Sequence, residues 1–181
     1  MSITPDTKGW TWVLEARCPE CGLDSRQIAL ADVPVAVREV AASFRDVLAA
    51  GEAKRRRPDP SVWSPLEYAC HVRDVCRLYD TRLRLMLTGD DPQFENWDQD
   101  ATALEDAYGE QDPARVASEL AEAAERLAGS FESVPEAAGS RSGRRSDGAV
   151  FTVTTLGRYL VHDLVHHVHD VTRGRAAPAT D

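Results

Sequence analysis

The segment Tyr159-Leu-Val-His-Asp-Leu-Val-His-His-Val-His-Asp170 carries two superimposed patterns. The first is apolar. Leu156, Leu160, Leu164, Val168 and Val171 recur at helical spacing, and Val161 and Val165 widen the stripe. This predicts an amphipathic helix from about Thr154 to Arg173, closed by Gly174. The second pattern is chemical. Of five histidines in the chain, four (His162, His166, His167, His169) fall inside this helix. Side chains at i and i+4 share a face, with Cβ atoms roughly 5–6 Å apart. Two imidazoles so placed can reach a single metal ion at about 2.0–2.1 Å. At 3.6 residues per turn, His162, His166 and His169 lie together beside the apolar stripe. His167 falls on the arc of Asp163 and Asp170 and is expected to face solvent.

Upstream, three further long helices are legible. Val33, Val37, Val40, Ala41, Phe44, Val47 and Leu48 repeat at helical spacing over 32–50, and Gly51 with the Pro58-Asp59-Pro60 run ends that stretch. Ser64-Pro65-Leu66-Glu67 has the form of a capping box with proline in the first turn and predicts a helix running to about Leu87. His71, the fifth histidine, falls within its apolar arc beside Tyr68, Val75, Leu78, Leu85 and Met86, and so faces inward. A short helical stretch is expected before Tyr108. Asp112-Pro113 then opens a helix carrying Val116, Leu120, Ala123, Ala124, Leu127 and Phe131 to about Val134. Residues 135–149 read as a loop by composition, and Val150–Thr154 is briefly β-prone. The expectation is an all-α, four-helix bundle spanning 32–174, with an irregular N-terminal extension (1–31) and a tail (175–181).

One buried histidine on a helix is commonly an ordinary polar residue at a packing seam. Burying three without a shared partner costs far more, since each ring must be hydrogen-bonded. With His71 also facing inward, metal binding is the cheaper explanation. The ligand set read from spacing is His71, His162 and His166, with His169 in reserve and Asp74 placed to orient His71. Three protein ligands with an open position characterise catalytic rather than structural metal sites.

These features resemble the DinB-like superfamily of metal-dependent four-helix bundles. The carrying residues are Tyr68-Ala-Cys-His71-Val-Arg-Asp74, behind the Ser64-Pro65 helix opening, and His162-Asp-Leu-Val-His166. The superfamily is related to mycothiol-dependent maleylpyruvate isomerases and bacillithiol transferases. The resemblance covers residues 32–173. It implies a divalent metal, zinc or nickel, often a homodimer, and in characterised branches attack by a thiolate of mycothiol or another low-molecular-weight thiol. It also puts Trp97 and Asp98 near the mouth of the metal cleft, where they are candidates to bind substrate.

The remaining motifs weigh less. Cys18-Pro-Glu-Cys21-Gly22 has the shape of half a zinc knuckle or of a redox pair, and lies outside the resemblance. Arg144 and Arg145 in the Gly-rich 139–148 segment are candidates to clamp an anionic substrate. His162-Asp163-x-x-His166 imitates a zinc-peptidase motif, but its aspartate is a methylene short and its third ligand lies upstream. Asn96-x-Asp98-x-Asp100 lacks the glycine and terminal glutamate of a calcium loop. The chain has 181 residues with a net charge of −9, which argues against nucleic-acid partners. It has neither an apolar run long enough to span a membrane nor the pattern of a signal peptide, so a cytoplasmic protein acting on a small molecule is expected. Function is expected to be thiol transfer or hydrolysis at an open three-histidine site. The alternative is a non-catalytic metal-binding or stress-response protein. No side chain is assigned as catalytic.

Overall fold

A computed structural model of the protein describes residues 9–173. Helix α1 spans Val33–Leu48, α2 Pro65–Thr88, the short α3 Gln99–Glu105, α4 Pro113–Glu132 and α5 Val153–Arg173. Strands β1 (Gln93–Phe94), β2 (Ser142–Arg145) and β3 (Val150–Thr152) form a small sheet in the order β1-β2-β3. No helix among the described residues is long and apolar enough to cross a membrane.

The helix starts are chemically specified. Ser64 Oγ accepts from Glu67 N (3.3 Å), and the Glu67 carboxylate accepts from Ser64 N (2.8 Å), closing the expected capping box. Asp112 Oδ1 accepts from Arg115 N at 2.8 Å and caps α4 by that bond alone. Helix α5 follows β3 directly. Thr155 Oγ1 accepts from Thr152 N (2.8 Å), while Thr152 Oγ1 accepts from Thr155 N (3.1 Å), so two threonines exchange the bonds of a cap. Gly174, expected to close α5, and the 175–181 tail lie outside the described residues.

The bundle is built around α1 and α2, each of which packs against both α4 and α5. Its core comprises Val37 and Phe44 from α1, Leu66 and Leu83 from α2, Leu120 and Leu127 from α4, and Leu156, Leu160 and Leu164 from α5. Gly157 sits where α5 crosses α1. A Cβ there would lie 2.9 Å from Val33 Cγ2 and 3.3 Å from Phe131 Cε1, so the glycine permits the close approach.

The structure corrects the reading of 135–149 as a loop. Residues 142–145 form β2, parallel to β1 and antiparallel to β3, with Gly143 opposite Phe151. The sheet lies at one end of the cleft described below. Residues 10–32 form a chain of short 3-10 turns along α5. They are fastened by Ser25 Oγ donating to Val13 O (2.5 Å) and by Arg158 Nε donating to Ile28 O (3.0 Å).

Candidate metal centre

A cleft of about 690 Å³ opens beside α2 and α5, and its walls carry His71, His162, Asp163, His166 and His167. Within it the ligating side chains fall into two sets. His71, Asp163 and His167 each place a ligand atom within 4.8 Å of the others. So, separately, do Cys18, Cys21, His162 and His166. The sequence grouped His71 with His162 and His166; the geometry divides that trio.

The division follows from helical geometry. Asp163 and His167 form a second i, i+4 pair, one residue out of step with His162 and His166, so the two pairs point about 100° apart. Asp163 and His167 face His71 on α2, whereas His162 and His166 face the N-terminal segment. The expectation that His167 faces solvent is therefore wrong. Its ring stands edge-on to His71 at 4.8 Å between centroids, and its side chain is 15% exposed. The Asp163-x-x-x-His167 spacing carries the signal, but the aspartates on that arc make it read as an outward face.

His71 is enclosed by aromatic rings. Trp97 stacks on it at 5.3 Å with planes 5° apart, and Trp63 lies 5.0 Å away on a tilted plane. Neither ring nitrogen of His71 has a hydrogen-bond partner among the described residues, although the residue is only 1% exposed. Burial, reinforced by the positive His167, pushes its pKa down to about 3, so the ring is neutral with a lone pair to offer.

For His167 and Asp163, burial disfavours both charges, but their mutual attraction prevails. The imidazole is held above its ordinary value and the carboxylate below. His167 Nε2 lies 3.6 Å from Asp163 Oδ1, and Nδ1 lies 3.4 Å from Asp170 Oδ2. Asp170 is thus placed to fix the tautomer that turns Nε2 toward Asp163, as carboxylates behind metal-binding histidines do. Two imidazoles and one carboxylate, with an orphaned buried ring among them, fit a divalent cation that displaces the His167 proton, since a ligating imidazole must be neutral.

In the second set, Cys18 Sγ lies 3.7 Å from His166 Nδ1, and His162 Nε2 is buried without a hydrogen-bond partner among the described residues. Cys18 and Cys21 are free thiols. Trp10 covers this end of the cleft, with ring centroids 5.8 Å from His162 and 5.1 Å from His166.

The other candidate residues disperse. Trp97 and Asp98 line the cleft, Trp97 by stacking on His71 and Asp98 while capping α3 through Ala101 N (2.9 Å). Asp74 does not orient His71. It accepts from Arg73 (2.9 and 2.8 Å), Arg77 (3.0 Å) and the Tyr108 hydroxyl (2.7 Å), a network that ties α2 to the segment before α4. His169 belongs to neither ligand set and stands 6.1 Å from the His166 ring. Arg144 pairs with Asp91 at 2.5 Å and is not among the cleft residues, whereas Arg145 lines the cleft and rests on the faces of Phe151 and Tyr159. Sequence reasoning missed Arg82, which also lines the cleft. Arg82 is 4% exposed and lies over Tyr79 and Phe94; its Nη2 donates to Glu95 O, and its Nε has no partner among the described residues.

Fold and site together define a helical-bundle protein with a histidine-based candidate metal centre in an open cleft. The chain belongs to the DinB superfamily, whose sequence profile matches residues 30–171. Among solved structures it is similar to YfiT from Bacillus subtilis, described as a probable metal-dependent hydrolase with an unusual four-helix bundle topology. The two share 18% sequence identity over 82% of this chain and 90% of that one, with a TM-score of 0.71, a likeness of fold. No curated protein is similar enough to count as a match.

Proposed function

We propose that the protein is a metal-dependent hydrolase whose cation is held by His71, Asp163 and His167, acting on a small molecule that carries an anionic group. The observation that supports this most directly is His71, a fully buried imidazole with both nitrogens unpaired, facing a carboxylate and a second imidazole across the cleft. A divalent cation there supplies Lewis-acid polarisation and lowers the pKa of an attacking nucleophile.

The chain's own residues supply the rest. Asp163 contributes the negative charge of the ligand set. Asp170 orients His167. Trp63 and Trp97 keep water from the His71 ring and hold its plane. Arg82 and Arg145 line the same cleft and provide guanidinium groups for a carboxylate or phosphate on the substrate. The similarity to YfiT, itself described as a probable metal-dependent hydrolase, supports the same reading. Transfer from a low-molecular-weight thiol is the second reading. The cleft favours it in one respect, since 690 Å³ leaves room for a cosubstrate besides the substrate.

The test is metal analysis coupled to turnover. Purified protein should hydrolyse members of a panel of anionic esters and amides, losing that activity to chelator and regaining it with zinc or nickel. His71→Ala and Asp163→Ala should each lose an equivalent of metal together with the activity. Retention of full metal content by both variants would overturn the ligand assignment. Turnover that requires an added thiol would select the second reading.

A further inference from the structure

We propose that Cys18, Cys21, His162 and His166 form a second metal centre, a closed structural zinc site that fastens the N-terminal segment to α5 and builds one wall of the cleft.

The Cys18–His166 spacing fits the edge of a tetrahedron. Zinc holds sulfur at about 2.3 Å and imidazole nitrogen at about 2.0–2.1 Å, so adjacent S and N ligands stand about 3.6 Å apart. Cys18 Sγ and His166 Nδ1 are 3.7 Å apart, and all four ligand atoms lie within 4.8 Å of one another. His162 Nε2 is buried with no hydrogen-bond partner among the described residues, a cost that a cation would remove.

The local chain is shaped for the task. Between the cysteines the backbone folds back, with Gly22 N donating to Cys18 O (3.0 Å) and Cys18 N to Leu23 O (2.9 Å). Gly22 sits at φ +77°, which a residue with a Cβ rarely adopts, directly after the second cysteine. Behind His166, Nε2 faces Glu20 Oε2 (3.7 Å) and Asp170 Oδ1 (3.8 Å), so carboxylates lie beyond hydrogen-bond reach on the side of the nitrogen that does not face the thiol.

Charge also agrees. Two thiolates neutralise a dication, so the assembled centre can be buried at little electrostatic cost. Cys18, His162 and His166 are 1%, 3% and 7% exposed. Two sulfurs and two imidazoles select zinc over hard cations and leave no open position, unlike the His71 set. This centre therefore holds structure and performs no turnover.

Its position gives it a consequence for the cleft. The segment it anchors carries Trp10, whose ring packs on both histidines. Asp170 faces His166 through one oxygen and His167 through the other, so it stands between the two centres.

Cobalt substitution of the full-length wild type tests the proposal, because only a cysteine-containing centre gives thiolate-to-cobalt charge transfer. The expected result is that band together with the strong visible absorption of tetrahedral cobalt. Both should persist in His71→Ala and vanish in the double variant Cys18→Ser/Cys21→Ser. Zinc analysis should show the double variant losing one equivalent while keeping the equivalent that His71→Ala removes. Chelation of wild type should expose Cys18 and Cys21 to alkylation, a readout that needs no variant. Absence of the charge-transfer band in wild type, its survival in the double variant, or an intact mass showing Cys18 and Cys21 joined as a disulfide in freshly purified protein would each overturn the assignment. None of these outcomes bears on the His71 centre, which is read from the thiolate-free metal.

Discussion

Replacing Glu67 with alanine probes the element that sets His71 in place. Glu67 lies one turn ahead of His71 and ends the capping box of α2. Its carboxylate accepts from Ser64 N (2.8 Å) and Arg57 Nε (2.9 Å), and also from Arg57 Nη2. The Glu67 side chain is 8% exposed and Arg57 is 29% exposed. Ser64 still caps the backbone N of residue 67, so only the return bond from Ser64 N is lost, at about 1 kcal/mol. Losing hydrogen bonds to a charged partner costs about 1.5–3 kcal/mol, here at the lower end because water reaches Arg57. The sum is about 2–3 kcal/mol, which for a domain of this size lowers the melting temperature by about 5–10 °C. The loss must also depend on pH. Burial alone would raise the Glu67 carboxyl, but the bonds from Arg57 and Ser64 hold it below its ordinary value of 4.5. A depressed carboxylate stabilises fully above that ordinary value and loses its effect as pH falls through the folded one. Urea unfolding followed by circular dichroism should therefore show the wild-type advantage intact at neutral pH and shrinking below about pH 4.5. Glu67→Gln, which keeps one acceptor oxygen and loses the charge, should fall between. A loss under about 0.5 kcal/mol, the size of an ordinary surface change, would refute the reasoning. So would a difference that does not respond to acid.

Three other substitutions test separate parts of the structure. Gly157→Ala gains up to about 1 kcal/mol in helix propensity but pushes a methyl against Val33 and Phe131, an overpacking that costs about 1–3 kcal/mol, so thermal melts should show net destabilisation. Tyr108→Phe removes the 2.7 Å bond to Asp74 in a buried network and should lower stability by about 1–2 kcal/mol in denaturant titrations, with metal content unchanged. Asp170→Asn leaves His167 without its orienting charge and should weaken metal at the His71 centre by about 10–100-fold in chelator competition; unchanged affinity would remove Asp170 from that role.

The helices were legible because their information is local. The apolar repeat of α1 and α4, the Ser64–Glu67 box and the Asp112-Pro113 start each lie within a few residues. The small sheet was not legible, since β1 has two residues and finds its partner only across the chain at Arg144 and Arg145. The candidate site was half legible. Spacing points to His71, His162 and His166, and all three line the cleft, but it does not show that Asp163 and His167 face His71 or that the two cysteines meet His162 and His166.

The sequence by itself determined that α5 is a helix, that it presents ligating side chains at metal-binding spacing, and that His71 faces a bundle interior. Those properties follow from periodicity along one chain segment. Which ligands act together was decided only by the tertiary structure. A helix shows several faces at once, and spacing alone does not say what packs on each. Here α2 lies along the face of Asp163 and His167, and the Cys18–Cys21 turn folds over the face of His162 and His166. A rotation of one residue, about 100°, separates the two sets.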